Sequence, residues 1–208
     1  LNILKVGILA SGNGTNLQTI IDKSEKKELP VRVVVVISDK PDAYALQRAS
    51  KHSIPTFVVK PRDFADKVSY EQKMIDILKS HDVELVVLAG FMKILSPHFI
   101  GAFRNRIINI HPSLIPAFCG KDFYGMKVHQ AVIDSGVKIT GATVHFVDEN
   151  VDAGPIIIQK AIEVKDNDTA ETVALKVHQI EHQILPEAIR LFAEGKLKIV
   201  GRKVFIEE

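Results

Sequence analysis

Asn109 and His111 stand two residues apart at the end of the stretch Arg106-Ile107-Ile108. On a strand, residues so spaced point to the same side. An amide that donates a hydrogen bond and an imidazole that moves a proton then face one substrate atom. This pairing suits acyl transfer, in which negative charge builds on a carbonyl oxygen while a proton passes between two amines. Pro112 and Pro116 stiffen the loop that leaves the strand. Alone, an Asn-x-His pair is more often turn or surface chemistry than a catalytic pair, so its weight depends on the other groups in the chain.

Gly12-Asn13-Gly14-Thr15-Asn16-Leu17 follows an apolar run and begins like a dinucleotide fingerprint, but Leu17 stands where the third glycine belongs. Glycines let a phosphate approach the backbone, and the free N–H groups and positive dipole end of the next helix favour an anion. One phosphate on the amides of Gly14, Thr15 and Asn16 is the natural reading, with a ligand-free tight turn as the plain alternative. Asp39 ends the second apolar run, where an NAD-binding fold carries its ribose ligand. Leu17 and the Lys40-Pro41 turn count against that role.

Asp152 sits in an acidic loop with Asp148 and Glu149, just before Ala153-Gly154-Pro155. It is either a solvated turn residue or a carboxylate that orients His111. His178, Glu181 and His182 share one helix face. The His-x-x-x-His spacing invites zinc, but Gln179 rather than Glu follows the first histidine and no third ligand is evident, so no metal is expected. His52, His81, His98 and His129 read as surface residues, and Phe91 and Met92 as pocket lining or core.

These groups need a scaffold that brings them out at strand ends. Leu4–Ala10, Val31–Ile37, Thr56–Val59, Leu85–Ala89 and Arg106–Ile110 read as short buried strands. Between them lie helical stretches after Thr15, over about Ala43–His52 and Val68–Ser80, and after Pro97. Val31–Ile37 is nearly all β-branched, as in a parallel strand covered on both faces. The alternation predicts right-handed crossovers and an open, mostly parallel twisted sheet in an α/β fold. Ligands in such sheets sit beyond the carboxyl ends of the strands, where the glycine turn, Gly90–Lys93 and the Asn109/His111 pair should open onto one crevice. After about residue 135 the pattern changes. Thr140–Val147 alternates with one more polar face, Pro155–Val164 forms a second strand, Thr169–Glu194 a long helix with a kink expected at Pro186, and Leu197–Val200 with Lys203–Ile206 a hairpin. The later part is therefore expected to be mixed. With no linker or internal repeat in 208 residues, one domain is expected.

Bulk properties narrow the function classes. A net charge of +2 with interleaved signs carries no nucleic-acid footprint. The single cysteine, Cys119, excludes an internal disulfide and a Cys-based zinc site. The longest apolar run, Val31–Ile37, is too short to span a membrane, and no signal peptide is recognised although Leu1 is not an initiator methionine. A cytoplasmic setting is the expectation.

Taken together, the segments Ser11–Leu17, Leu88–Ser96, Asn109–Pro116, Thr143–Val147 and Asp152–Ile156, with Glu181-His182 in the late helix, resemble the phosphoribosylglycinamide formyltransferase family over nearly the whole chain. These are folate-dependent enzymes of purine synthesis. The Asn-x-His-Pro-Ser and Asp-x-Gly-Pro elements are common to all formyltetrahydrofolate-using transferases and hydrolases. The resemblance implies a Rossmann-like formyltransferase fold with a phosphate-binding half over about 1–110 and a folate-binding half over about 111–208. It implies direct transfer of the formyl group of 10-formyltetrahydrofolate, a co-substrate, to the amine of glycinamide ribonucleotide through a tetrahedral intermediate.

In that scheme His111 is general acid and oxyanion stabiliser, Asn109 hydrogen-bonds the formyl oxygen, and Asp152 holds and polarises His111. Gly14, Thr15 and Asn16 take the phosphate, Glu181 the ribose hydroxyls, and His178 stands near the phosphate where other members carry Gln or Lys. Met92, Lys93, Ile94 and Leu95, with the loop of Asp148 and Val151, border the pterin, and Lys67 meets the glutamate tail. The loop from Cys119 through Tyr124 departs from the family's common Pro-Gly. A monomer or homodimer is expected.

Three rivals stay open. Formyltetrahydrofolate hydrolase and methionyl-tRNA formyltransferase share the core but normally carry extra domains for which this chain has no room. A Rossmann-type NAD-binding module rests on Gly12, Gly14 and Asp39.

Overall fold

The computed structural model describes residues 3–207, and its contacts group into two compact units that divide after Ile108. In the first unit β1 (Leu4–Leu9), β2 (Val31–Ser38), β3 (Thr56–Val58) and β4 (Leu85–Leu88) are parallel, in the order β3-β2-β1-β4. Every residue of β4 is buried, as is nearly all of β2 beyond Val33, so continuous apolar runs rather than alternation mark these strands. Their connections carry α1 (Thr15–Glu25), α2 (Tyr44–Lys51) and α3 (Lys67–Ser80), while α4 (Pro97–Ala102) follows β4.

The helix starts differ in a way that bears on function. Asp66 caps α3 by accepting the Ser69 N–H at 2.7 Å. The start of α1 has only Gly14, in the left-handed region at φ 77°, and no side-chain cap. Gly14 has no side chain with which to cap the first N–H groups of α1. A methyl group on Gly14 would lie 2.7 Å from the Ala45 Cβ, so a larger residue there meets both backbone strain and a clash.

β5 (Ile107–His111) carries the chain into the second unit. There α5 (Met126–Ser135) precedes β6 (Ile139–Phe146) and β7 (Ile156–Glu163), which pair antiparallel. The long α6 (Ala170–Ala193) leads to the hairpin of β8 (Leu197–Val200) and β9 (Lys203–Ile206). The strand order is β6-β7-β9-β8, and β7 meets β9 in parallel through Ile156 and Lys203. The chain is thus α/β, mostly parallel at first and antiparallel toward its C-terminus, as the change of pattern predicts.

Element limits differ from the sequence expectation by at most one residue at either end, and three features differ in substance. α5 has no counterpart in the expected elements; its buried residues Val128, His129 and Val132 are too few to announce a helix. Only Ile139 of β6 is exposed, so the face carrying Thr143 and His145 is core rather than solvated. His129, expected at the surface, is 2% exposed. α6 runs on through Pro186, which is buried within it and lies beyond the capping box of Thr169 and Thr172.

Candidate active site

β5 ends with Asn109 half-buried and His111 buried on the same side of the strand. The loop after β6 brings Asp152 to them: its Oδ2 lies 3.6 Å from His111 Nδ1. Asp152 adopts φ 50°, a left-handed conformation tolerated by a short polar side chain. Two residues on, a Cβ at Gly154 would lie 1.8 Å from the Phe146 carbonyl oxygen. Only glycine lets the chain pass that carbonyl and deliver the carboxylate. Oδ2 also accepts the Gly120 N–H at 2.9 Å.

Backbone carbonyls settle the histidine tautomers, because a carbonyl only accepts. His145 Nδ1 donates to the Phe146 oxygen at 2.8 Å, and burial lowers the pKa of this ring. The neutral ring then offers its Nε2 lone pair to the Asn109 amide, 3.1 Å away. One N–H of Asn109 is fixed in this way, and so is the direction of its second. His111 Nε2 donates to the Phe118 oxygen at 2.9 Å. This anchors the ring and leaves Nδ1, on the Asp152 side, as the nitrogen that can take up and release a proton.

The loop after His111 is held by Thr143, whose hydroxyl donates to the Ser113 oxygen at 2.7 Å and accepts the Ile115 N–H at 3.1 Å. A cleft of about 280 Å³ bordered by Ile115, Cys119, Val151 and Arg202 reaches Asp152. Burial first, and then the Asp152 charge, raises the Cys119 thiol pKa, so this cysteine remains a protonated neighbour. Asp148 Oδ1 accepts the Asn150 N–H at 2.8 Å, shaping the loop on which Val151 is 41% exposed.

On α6, Glu181 is buried with a carboxylate oxygen 4.0 Å from His178 Nε2. The His178 ring meets His129 edge to face, with centroids 6.3 Å apart. Burial, then His178 and His111, press the His129 pKa down to about 4.

In the first unit, Gly14, Thr15 and Asn16 form the open start of α1. The Gly90–Leu95 segment lies beside that turn: the Ser11 N–H donates to the Gly90 oxygen at 3.1 Å, and the Met92 N–H donates to Ser11 Oγ at 2.9 Å. Met92, Lys93 and Ile94 are exposed and Leu95 is buried. Lys67 begins α3, 4.0 Å from the buried Glu71. Asp39 is no ribose ligand. Its side chain is 2% exposed, and its Oδ1 accepts the Ser11 hydroxyl at 2.6 Å. A larger hollow of about 460 Å³, at Lys5, Arg32, His52 and Asp82, lies where β1 and β2 begin, at the opposite end of β1 from this turn.

Within each unit some of the predicted residues come together, while Lys67 meets Glu71 on α3. Asn109, His111 and Asp152 converge in the second, with His178 and Glu181 paired on α6. Gly14–Asn16 and Met92–Leu95 are joined through Ser11 in the first. Sequence reasoning assigned no role to His145, Phe118 or Gly120. His145 had a legible signal: Thr143 and His145 repeat on β6 the polar i, i+2 pattern of Asn109 and His111. Among the described residues, no group of three or more His, Cys, Asp or Glu side chains could hold a metal ion, and no helix is long and apolar enough to cross a membrane.

Comparison with known proteins places this geometry in context. The formyl transferase family profile matches residues 4–189. Phosphoribosylglycinamide formyltransferase of Bacillus subtilis is 40% identical over 186 residues, covering 89% of this chain and 93% of that protein. The crystal structure of glycinamide ribonucleotide transformylase 1 from Symbiobacterium toebii superposes with a TM-score of 0.95 at 43% identity, covering 100% of this chain and 95% of that one. A formyltetrahydrofolate deformylase from Pseudomonas syringae is more distant, at 28% identity and a TM-score of 0.88, and this chain covers 66% of its length.

Proposed function

The chain belongs to the formyl transferase family, and we propose that its side-chain clusters transfer the formyl group of 10-formyltetrahydrofolate to the amine of glycinamide ribonucleotide. The observation that carries this reading is the convergence of Asn109, His111 and Asp152, with the Asn109 amide oriented by a neutral His145.

The roles follow from the bonds. Asn109 has one N–H committed to His145 and directs the other at the formyl oxygen as negative charge develops there. His111, anchored through Nε2, uses Nδ1 to take the proton from the attacking amine and pass it to the departing folate nitrogen. Asp152 stabilises the imidazolium formed between these two events. Bond making and breaking at the formyl carbon then proceed through a tetrahedral intermediate with the proton retained in the site.

The uncapped start of α1 takes the substrate phosphate on the N–H groups of Gly14, Thr15 and Asn16. Glu181 accepts from the ribose hydroxyls, with His178 beside the phosphate. Lys67, Met92, Lys93, Ile94 and Leu95, together with Asn109, Asp148 and Val151, receive the folate. The exposure of Met92, Ile94 and Val151 supports that reading, since apolar groups left open to solvent suit an aromatic ligand. The two units work as one formyltransferase domain, in the cytoplasm, as a monomer or homodimer.

The test follows formyl-folate consumption with and without glycinamide ribonucleotide. Consumption that requires the ribonucleotide, with formylated product in equal amount, supports the transferase. Equal consumption in its absence would instead identify a formyl-folate hydrolase, and tight binding of NAD in place of a folate analogue would overturn both.

A further inference from the structure

Asp39 is a buried carboxylate at the end of β2 that the chemistry above does not use. The Ser11 hydroxyl gives its single proton to Asp39 Oδ1 at 2.6 Å, which leaves an oxygen lone pair for the Met92 N–H at 2.9 Å. A hydrogen bond to an ionised acceptor is short and strong, so it locks the hydroxyl rotor in one direction. Lys93 Nζ, 3.9 Å from Oδ2, balances the charge. Through its N–H, Ser11 also holds the Gly90 carbonyl. One residue thus grips the chain on both sides of Phe91.

At the far end of the same segment, the fully buried Glu71 accepts the Ser96 N–H at 2.8 Å and the Ser96 hydroxyl. Residues 92–95 are strung between two buried carboxylates. The tie at the Ser11 end continues into the glycine turn, where the Gly12 oxygen accepts the Ala45 N–H at 3.0 Å and Gly14 packs on the same Ala45.

We propose that Ser11 and Asp39 are positioning residues, acting as a hydroxyl–carboxylate clamp that sets the Met92–Leu95 backbone for the folate and the Gly14–Asn16 turn for the phosphate at once. The inference rests on the assignment of those two segments to the two substrates, and it makes their affinities depend on one buried hydroxyl. Ser11→Ala removes the donor to Asp39 and the acceptor for Met92. Asp39→Asn keeps an acceptor for the hydroxyl, whereas Asp39→Ala does not.

The experiment measures kcat and both KM values for the three variants, using 10-formyl-5,8-dideazafolate and glycinamide ribonucleotide, alongside amide hydrogen exchange at Met92 in the unsubstituted enzyme. Ser11→Ala and Asp39→Ala are expected to raise the folate KM about tenfold or more, as loss of a charge-assisted bond implies, and the ribonucleotide KM in the same direction. Asp39→Asn is expected to recover most of both. In the unsubstituted enzyme the Met92 amide is expected to exchange slowly. Fast exchange at Met92, unchanged KM values in a folded Ser11→Ala protein, or a rise confined to one substrate would each overturn the clamp. Failure of the unsubstituted enzyme to bind the folate analogue would overturn the functional reading instead, while slow Met92 exchange would still support the clamp.

Discussion

In the first unit the groups assigned to substrates are mostly main-chain atoms: the N–H groups at the start of α1 and the backbone of residues 92–95. Buried polar side chains, Ser11, Asp39 and Glu71, only hold them in place. In the second unit the groups assigned to the chemistry are side chains, and backbone atoms hold them: the Phe118 carbonyl anchors His111, the Phe146 carbonyl sets the His145 tautomer, and the Gly120 N–H meets Asp152. The inversion has a physical basis. Anion and pterin recognition needs an array of dipoles, which a helix start and an extended segment supply. Proton transfer needs groups that titrate, and backbone does not.

Substitutions in the two units test this contrast. The largest effect is expected at the proton-transfer group: His111→Ala should lower kcat by about 10²–10⁴-fold while leaving ligand dissociation constants little changed. Steady-state kinetics with equilibrium binding checks this, and near-normal turnover would remove His111 from the mechanism.

Next is the amide. Asn109→Ala should cost about 10²–10³ in kcat, the usual worth of one preorganised oxyanion donor. His145→Phe removes the acceptor that orients Asn109, together with the Nδ1 donor to the Phe146 carbonyl. It should cost less and add nothing in the Asn109→Ala background, and a double-mutant cycle on kcat reads that coupling.

In the first unit the effect should move from kcat to KM. Gly14→Ala forces φ 77° on a residue with a Cβ and drives a methyl against Ala45. It should raise the ribonucleotide KM about tenfold, with kcat preserved, as backbone strain of this kind implies. A fall in kcat of the same size would erase the contrast between the units.

The smallest effect concerns stability. Burial first, with His178 and His111, holds His129 near pKa 4 in the folded chain, against 6.5 for an exposed ring. Protonation therefore favours unfolding. The stability that depends on neutral His129 is fully present above pH 6.5 and is lost as the pH falls from there toward 4. Urea midpoints measured across that range should decline, and His129→Gln should flatten the decline.

The short apolar runs, the glycine-led start of α1 and the C-terminal hairpin were legible because each is a local pattern whose physics lies within about ten residues. The same holds for Asn109 and His111, since strand alternation alone puts them on one side. α5 was not legible: its helix is bounded by glycines and buries few apolar residues, so no stripe stands out. His129 and His145 were hidden for another reason. A histidine's burial depends on what packs over it, and its neighbours in sequence do not specify that.

By itself, then, the amino-acid order determined an α/β chain with parallel strands first and a mixed end, a phosphate-suited turn, and an amide–imidazole pair at a strand terminus. All of these follow from periodicity and from residue type. The tertiary structure alone decided that Asp152 reaches His111, that His145 is a neutral acceptor and that Asp39 is a buried anchor. Such facts depend on contacts between residues far apart in the chain. There, burial, carbonyl partners and the bare passage at Gly154 fix which atoms carry protons and where they point.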